Sequence, residues 1–537
     1  MTDVRCEHGI YRARKMALLV LVLLGAAAFK VGLLTLDAVP FNADEAVVAL
    51  MARHILQGKR PWFFYGQAYM GSLDAYLIAG AFRLFGQHVR VIRWVQAALF
   101  LLTLATGYRV ARRFTGGRRS ALLTLVLMAF PPVLMTLYTS ATLGGYGEML
   151  LIGNLLLWWG HRLGYKDAHN WTLWIAWGLA AGVGFWAFGL VLVYLAPAAL
   201  WLIWRLRARV WQGAALAILA FFVGSAPWCL GNVGQLTVGL AELLGTAVSS
   251  TVTAATLLGN VGMRVFSFLV FGFPVLFGLR FPWSVHGPPL CLGVPALTLY
   301  LGALGWGLHR RATATAQMRE GRWLLWGVWG ALFLGFVLTP FGGDPSGRYF
   351  TPLYLPLCIF SAEVLDLLRQ RFGRWAWLML GAVLLFNGVG TVQAALTNPP
   401  GITTQFDAIT QVDRRYDEAL VEFLQVHGCT RGYTNYWVAY PIAFLSNEEI
   451  ILIPRLPYKA DLRYTSRDDR YPPYREWVAQ SSDVVYVTTN HPRLDGLLRR
   501  RFAALDVSVR EKQIGDYHVF YDLSRHVTPD ELDLPFE

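Results

Sequence analysis

Long apolar stretches separated by short, arginine-rich polar loops occupy roughly the first 395 residues, after which the pattern changes to short mixed segments. The first apolar run, Met16 to Leu36, is long enough to cross a bilayer and follows a leader carrying Arg5, Arg12, Arg14 and Lys15. It reads as an uncleaved signal anchor. Cleavage near Ala26-Ala27-Ala28 would need a long apolar core and would leave Lys30 beyond the cut.

Cationic loops stay on the cytoplasmic side of a membrane. Here they are 109–119, 161–166, 205–209, 309–322 and 369–374. Between them the spans fall near 16–36, 91–111, 120–138, 148–165, 171–187, 190–204, 212–229, 290–308, 323–340, 349–367 and 375–395. That is about eleven crossings, with the N-terminus cytoplasmic and the chain end outside. Two domains are expected: 1–395, a multi-spanning membrane domain, and 396–537, an extracytoplasmic α/β domain joined at Pro399-Pro400. In the latter, "DRRYDEALVEFLQVHG" reads as an amphipathic helix closed by Gly428. "EIILIP" and "SSDVVYVTT" read as buried strands, and "VSVREKQIGDYHVFYDL" as a hairpin turning at Gly515-Asp516.

Composition agrees. Of 537 residues, 55% are hydrophobic and 15% charged, which excludes an ordinary soluble globule. The net charge of +13 sits largely in the arginine loops and suits an anionic membrane face better than nucleic acid. Five cysteines in no paired pattern imply no disulfide framework, and without CxxC or HExxH no tightly held metal site is expected.

The segment 39–90, placed outside, is too long for a connector. Asn42 is positioned to cap a helix over 43–57, Glu45 to complete a capping-box-like pair, and Gly58 to stop the helix. Capping explains Glu45, and Asp44 suits the positive helix end, so the pair is open to a purely structural reading. Phe63 to Phe85 reads as helices lying in the interface.

An Asp-Glu pair opening a helix, a glycine in "LQGKRPW", an aromatic stretch from Tyr65 to Tyr76, Leu84-Phe85-Gly86 and Arg93 follow in order. This pattern resembles the first outer loop of the C-type glycosyltransferases that use polyprenyl-phosphate sugars, notably the protein O-mannosyltransferase and lipid A aminoarabinose transferase branch. "YGQAYMGSLDAY" stands where that branch has Pro-Pro-Leu. "TLGGYGEMLLIGN" and "GGDPSGRYFTPLYLPL", the latter similar to the family's Arg-Tyr-x-x-Pro signature, extend the resemblance.

The resemblance implies an inverting transfer of one sugar from a polyprenyl-phosphate donor to a lipid, glycan or protein acceptor, at the outer face of the plasma (inner) membrane and among its lipids. Such transfer needs a carboxylate for the acceptor hydroxyl and cations for the departing phosphate. Asp44 takes the first role and Glu45 assists. Arg348, with Arg93 and Tyr349, binds the donor phosphate, and Glu148 supplies a second acidic group. Tyr65, Gln67, Tyr69 and Asp74 line the substrate cavity. No cofactor is required by the pattern; a divalent cation, Mg or Mn, is left open. Arg348 also admits a snorkelling role at a span end and Glu148 a solvated one at a helix start. Lys30 is expected to snorkel outward, and the aromatic stretch "YTNYWVAYPIAFLSNEEIILIP" to form core of the outer domain, with a rim over the active site as its alternative. A flippase of lipid-linked saccharides and a non-catalytic glycan-binding scaffold are the alternative readings. The first should show paired halves with broken helices, which the sequence lacks.

Overall fold

The computed structural model describes residues 2–234, 236–246, 258–309, 315–397 and 401–534. The expected linker at Pro399-Pro400 and part of the basic loop 309–322 lie outside them. Packing divides the chain into two units, one comprising Met1–Ala38, Tyr69–Leu73 and Arg93–Ala394, the other Val39–Ala68, Asp74–Ile92 and Ala395–Glu537.

The first unit is helical. Among the described residues seven helical stretches are long and apolar enough to cross a membrane: Met16–Thr35, Val89–Thr115, Gly189–Gly224, Leu290–His309, Ala316–Leu338, Arg348–Phe372 and Trp375–Leu396. The third expected span is interrupted, and the loop expected at 205–209 is a tight turn between two helices. Pro131-Pro132 splits the third into helices Arg118–Ala129 and Val133–Tyr138, because proline supplies no amide donor and clashes with the preceding turn. A 3-10 turn at Arg207–Val210, with Arg207 at φ +51°, separates helix Leu192–Leu206 from Trp211–Gly224.

Helices Trp171–Ala187 and Trp211–Gly224 pack backbone to backbone. A Cβ on Gly178 would lie 2.1 Å from the Ala217 carbonyl oxygen, and one on Gly182 the same distance from that of Phe221. The Gly-x-x-x-Gly spacing puts both on one face, where dispersion contacts between close backbones hold helices together in lipid.

Lys30 corrects the sequence reading. Its Nζ does not snorkel but is buried, donating to Thr139 Oγ1 (2.7 Å), Ser140 Oγ (2.7 Å) and the Thr136 carbonyl (3.3 Å). These three acceptors at the end of helix Val133–Tyr138 hold the buried amine without its reaching water.

The second unit holds a five-stranded mixed sheet in the order β4-β3-β5-β7-β6. The strands are β3 (Arg431–Thr434), β4 (Ile451–Pro454), β5 (Val485–Thr489), β6 (Arg510–Ile514) and β7 (Tyr517–Tyr521), with β1 (Phe63–Phe64) and β2 (Gln67–Gly71) earlier in the chain. β3 runs parallel to β4 and β5; β7 runs antiparallel to β5 and β6, with the β6–β7 turn at Gly515, φ +54°. The core gathers Leu420 and Leu424 of helix Asp417–Val426, Val438 and Ile442 of helix Tyr436–Leu445, and Leu452, Val485, Val487 and Val519 from the strands.

The first loop departs from expectation in one stretch. Residues 63–71 are extended rather than helical, because Gly66 at φ +72° turns the aromatic run back on itself and bulky aromatic residues favour a pleated chain. Helices Ala43–Leu56 and Leu73–Phe85 flank it.

Candidate active site

In the second unit, Asn42 caps helix Ala43–Leu56, its Oδ1 accepting from the Glu45 amide at 3.1 Å. The cap fixes the first turn, and successive helical residues point about 100° apart. Glu45 is therefore fully buried while Asp44 stays partly accessible.

Asp44 Oδ1 accepts a hydrogen bond from the hydroxyl of Tyr436, the first residue of helix Tyr436–Leu445. Tyr436 is itself buried. Burial, and after it the Asp44 charge, push its hydroxyl well above the usual phenol range, so it remains an O–H donor. The Arg470 guanidinium lies 5.3 Å from the Tyr436 ring centroid. With its amide turned to satisfy both groups, the Gln67 oxygen accepts from Arg470 Nη1 (2.7 Å) and Nη2 (2.9 Å).

The other end of the same helix carries a second network. His54 Nδ1 lies 2.9 Å from Tyr65 Oη and Nε2 lies 3.0 Å from Glu448 Oε1, while Tyr474 donates to Glu448 at 2.8 Å and Arg53 Nη1 stands 3.6 Å from its Oε2. Burial opposes ionisation of Glu448, but His54, Tyr474 and Arg53 together hold its carboxyl below the usual range. Tyr65 also stacks on Tyr471 at 4.8 Å. Asp74 is buried in the first turn of its helix and accepts from the Ala75 amide at 2.8 Å.

In the first unit, the turn Asp344-Pro-Ser-Gly-Arg348 is built by the Asp344 carboxylate, which accepts from the Ser346 amide at 2.8 Å. Gly347 at φ +76° completes it, where a Cβ would stand 2.0 Å from Val275 Cγ1. Arg348 then pairs with Asp344 at 2.6 Å, and its buried Nε–H has no partner among the described residues. Tyr349, Tyr146 and Tyr138 interact with it electrostatically. Helices Val133–Tyr138 and Tyr146–Leu163 both pack against the Arg348–Leu353 turn. Glu148 is buried two residues further, in the first turn of helix Tyr146–Leu163. Arg93 is engaged elsewhere, donating from Nη1 to the Ser140 carbonyl at 3.1 Å.

Tyr349 also walls an apolar cavity of about 680 Å³. Tyr69 and Phe341 join it, and the lining continues along one helix face from Thr339 back to Trp323, with Leu190, Leu200 and Trp201 opposite. Arg348 stands 5.0 Å from the Tyr349 ring centroid, a cation beside a long greasy cleft.

Among the described residues no three His, Cys, Asp or Glu side chains gather as metal ligands. Asp44 is partly accessible and Glu45 fully buried, so this pair does not itself form a cage for Mg or Mn.

Residues 72–228 match the family model described as dolichyl-phosphate-mannose-protein mannosyltransferase. Solved structures extend the comparison. ArnT from Cupriavidus metallidurans bound to undecaprenyl phosphate is 14% identical, with 96% of this chain and 98% of that one covered and a TM-score of 0.57. Its apo state gives 13%, the same coverage and 0.60. The chain shares its fold with these two ArnT structures. The Archaeoglobus fulgidus oligosaccharyltransferase in complex with Zn and sulfate shares this fold more loosely, at 15% identity, 88% and 68% coverage and 0.50. No curated protein matches the chain by sequence.

Sequence reasoning did not find Tyr436, which donates to Asp44, or Arg470, which stands over the Tyr436 ring. "YTNYWVAYPIAF" carried a signal, aromatic density after a helix-capping Asn435, but the stretch reads equally well as core, and Val438 and Ile442 are core.

Proposed function

We propose that the protein is an inverting membrane glycosyltransferase, moving one sugar from a polyprenyl-phosphate donor to a hydroxyl of a lipid, glycan or protein acceptor at the extracytoplasmic face. The observation that carries this reading is the long apolar cavity walled by Tyr349, with the Arg348 guanidinium 5.0 Å from the Tyr349 ring centroid and its Nε–H without a partner among the described residues. An isoprenoid tail needs apolar surface of that length; the phosphate needs a planar donor fork in place of water. Undecaprenyl phosphate in the ArnT structure of the same fold is consistent with that ligand class.

Asp44 orients the acceptor hydroxyl and takes its proton as the new C–O bond forms, while Arg348 stabilises the phosphate that leaves. Glu45, buried next to Asp44, assists by orienting it; Glu148 is a second acidic group for the acceptor, and Tyr65, Gln67, Tyr69 and Asp74 belong to the substrate surfaces of their units. Cysteine usage, basic loops and apolar stretches support about eleven crossings, an inner-membrane location with the N-terminus cytoplasmic, and residues 396–537 outside.

The test is a donor panel on purified protein. Transfer from polyprenyl-phosphate sugars, with none from nucleotide sugars alone, is the expected result; transfer from a nucleotide sugar without lipid carrier would overturn the reading.

A further inference from the structure

We propose that Tyr436 is a positioning residue for the transfer reaction: it engages Asp44 Oδ1, fixes the carboxylate plane and leaves Oδ2 as the oxygen that receives the acceptor proton. This inference rests on the functional reading above and deepens it, by assigning to the α/β part of the chain a role in the chemistry rather than in folding alone.

The geometry is specific. The Tyr436 hydroxyl donates to Oδ1, so rotation of the carboxylate breaks a charge-assisted hydrogen bond, roughly twice as strong as a neutral one. Tyr436 has little freedom to follow. Its ring packs edge-on against Trp437 (5.2 Å) and Tyr440 (5.5 Å), and the Arg470 guanidinium covers it. Arg470 is pinned in turn, its amide donating to the Tyr440 hydroxyl and its guanidinium to Gln67. Gly66 lets this arginine in, since a Cβ there would stand 2.9 Å from Arg470 Cδ.

The step then balances. The acceptor O–H gives its proton to Asp44 Oδ2, and its oxygen pair forms the bond to the anomeric carbon. The bond from that carbon to the phosphate oxygen breaks, its electron pair departing with the polyprenyl phosphate. Asp44 afterwards returns the proton to water. Throughout, Tyr436 keeps its own proton and acts only as a donor to Oδ1.

Tyr436→Phe removes that donor and keeps the ring. At saturating donor, kcat should fall by roughly 10-fold with the donor KM unchanged, and the acid limb of the pH–rate profile should move up by about one pH unit. Tyr433→Phe, another buried tyrosine of the same sheet domain, should change neither. A ring-fluorinated tyrosine at position 436, a stronger donor of unchanged size, should move the limb the other way; it decides the matter if the phenylalanine variant does not fold. A purely packing role would lower the melting temperature of Tyr436→Phe without displacing the limb, and that result would overturn the inference while leaving the wild-type transfer reaction standing. Wild-type protein inactive with every polyprenyl-phosphate sugar would instead sink the functional reading. The infrared carboxylate band lost in Asp44→Asn then reports on Tyr436 without turnover: its titration unchanged in Tyr436→Phe refutes the pairing, and its titration at higher pH sustains it.

Discussion

Asp44 and Glu45 differ in one methylene and one position, yet the helix turns one towards the protein interior and the other towards Tyr436. Glu45→Gln keeps length and hydrogen-bonding capacity, so it should fold normally and retain more transfer activity than any change at Asp44. Arg348 is positioned by a local turn, Gly347 and Asp344 lying within four residues, so its placement depends on neighbours close in sequence. Arg348→Lys replaces a fork by a point charge; donor affinity should fall about 10-fold or more by lipid-phosphate binding isotherm, and Arg348→Ala further. Wild-type affinity in both would remove Arg348 from the phosphate site. Tyr436 was not legible because its partner is 392 residues away in the chain. Lys30 was misread for a similar reason: the acceptors that keep it buried lie more than 100 residues on, in a helix whose end the sequence does not mark.

At the scale of elements, apolar period and turn residues located most helices and the β6–β7 hairpin. β3 escaped, since "RGYT" is four residues long and half polar; what makes it a strand is the neighbouring sheet, into which Gly432 fits with only 2.0 Å between a would-be Cβ and the Val485 carbonyl oxygen. In the helix pair Trp171–Ala187 and Trp211–Gly224, Gly182→Ala should cost about 1–3 kcal/mol through backbone separation, seen as a lower melting temperature in detergent, whereas Gly302→Ala, with open space around it, should not. In the sheet domain His518 lies between Asp495 (3.2 Å) and Glu511 (2.8 Å). The hydrogen bond to Asp495 leads in raising its proton affinity when folded. Its stabilisation is therefore fully present below the unfolded histidine pKa of about 6.5 and is lost as pH rises through the higher folded value. Thermal melts of wild type should weaken over that alkaline window relative to His518→Ala; parallel pH profiles would contradict the ion-pair assignment.

For the whole molecule, the sequence conveyed a membrane-embedded helical body and a mixed α/β part because both depend on composition over tens of residues. It did not convey that residues 39–68 and 74–92 pack with 395–537, since such packing depends on side chains far apart in sequence. The orientation proposed from loop charge has a direct check: a cysteine placed at Ser346 should react with an impermeant thiol reagent in intact cells and one at Thr315 should not, and the reverse labelling would invert the map. The central claim is that a lipid-phosphate sugar is transferred with Asp44 as proton acceptor. Single-turnover transfer at saturating polyprenyl-phosphate sugar, measured for wild type and Asp44→Asn at matched melting temperature, tests it most directly. The account predicts a fall of roughly 100-fold or more in the variant; transfer by Asp44→Asn at the wild-type rate would contradict it.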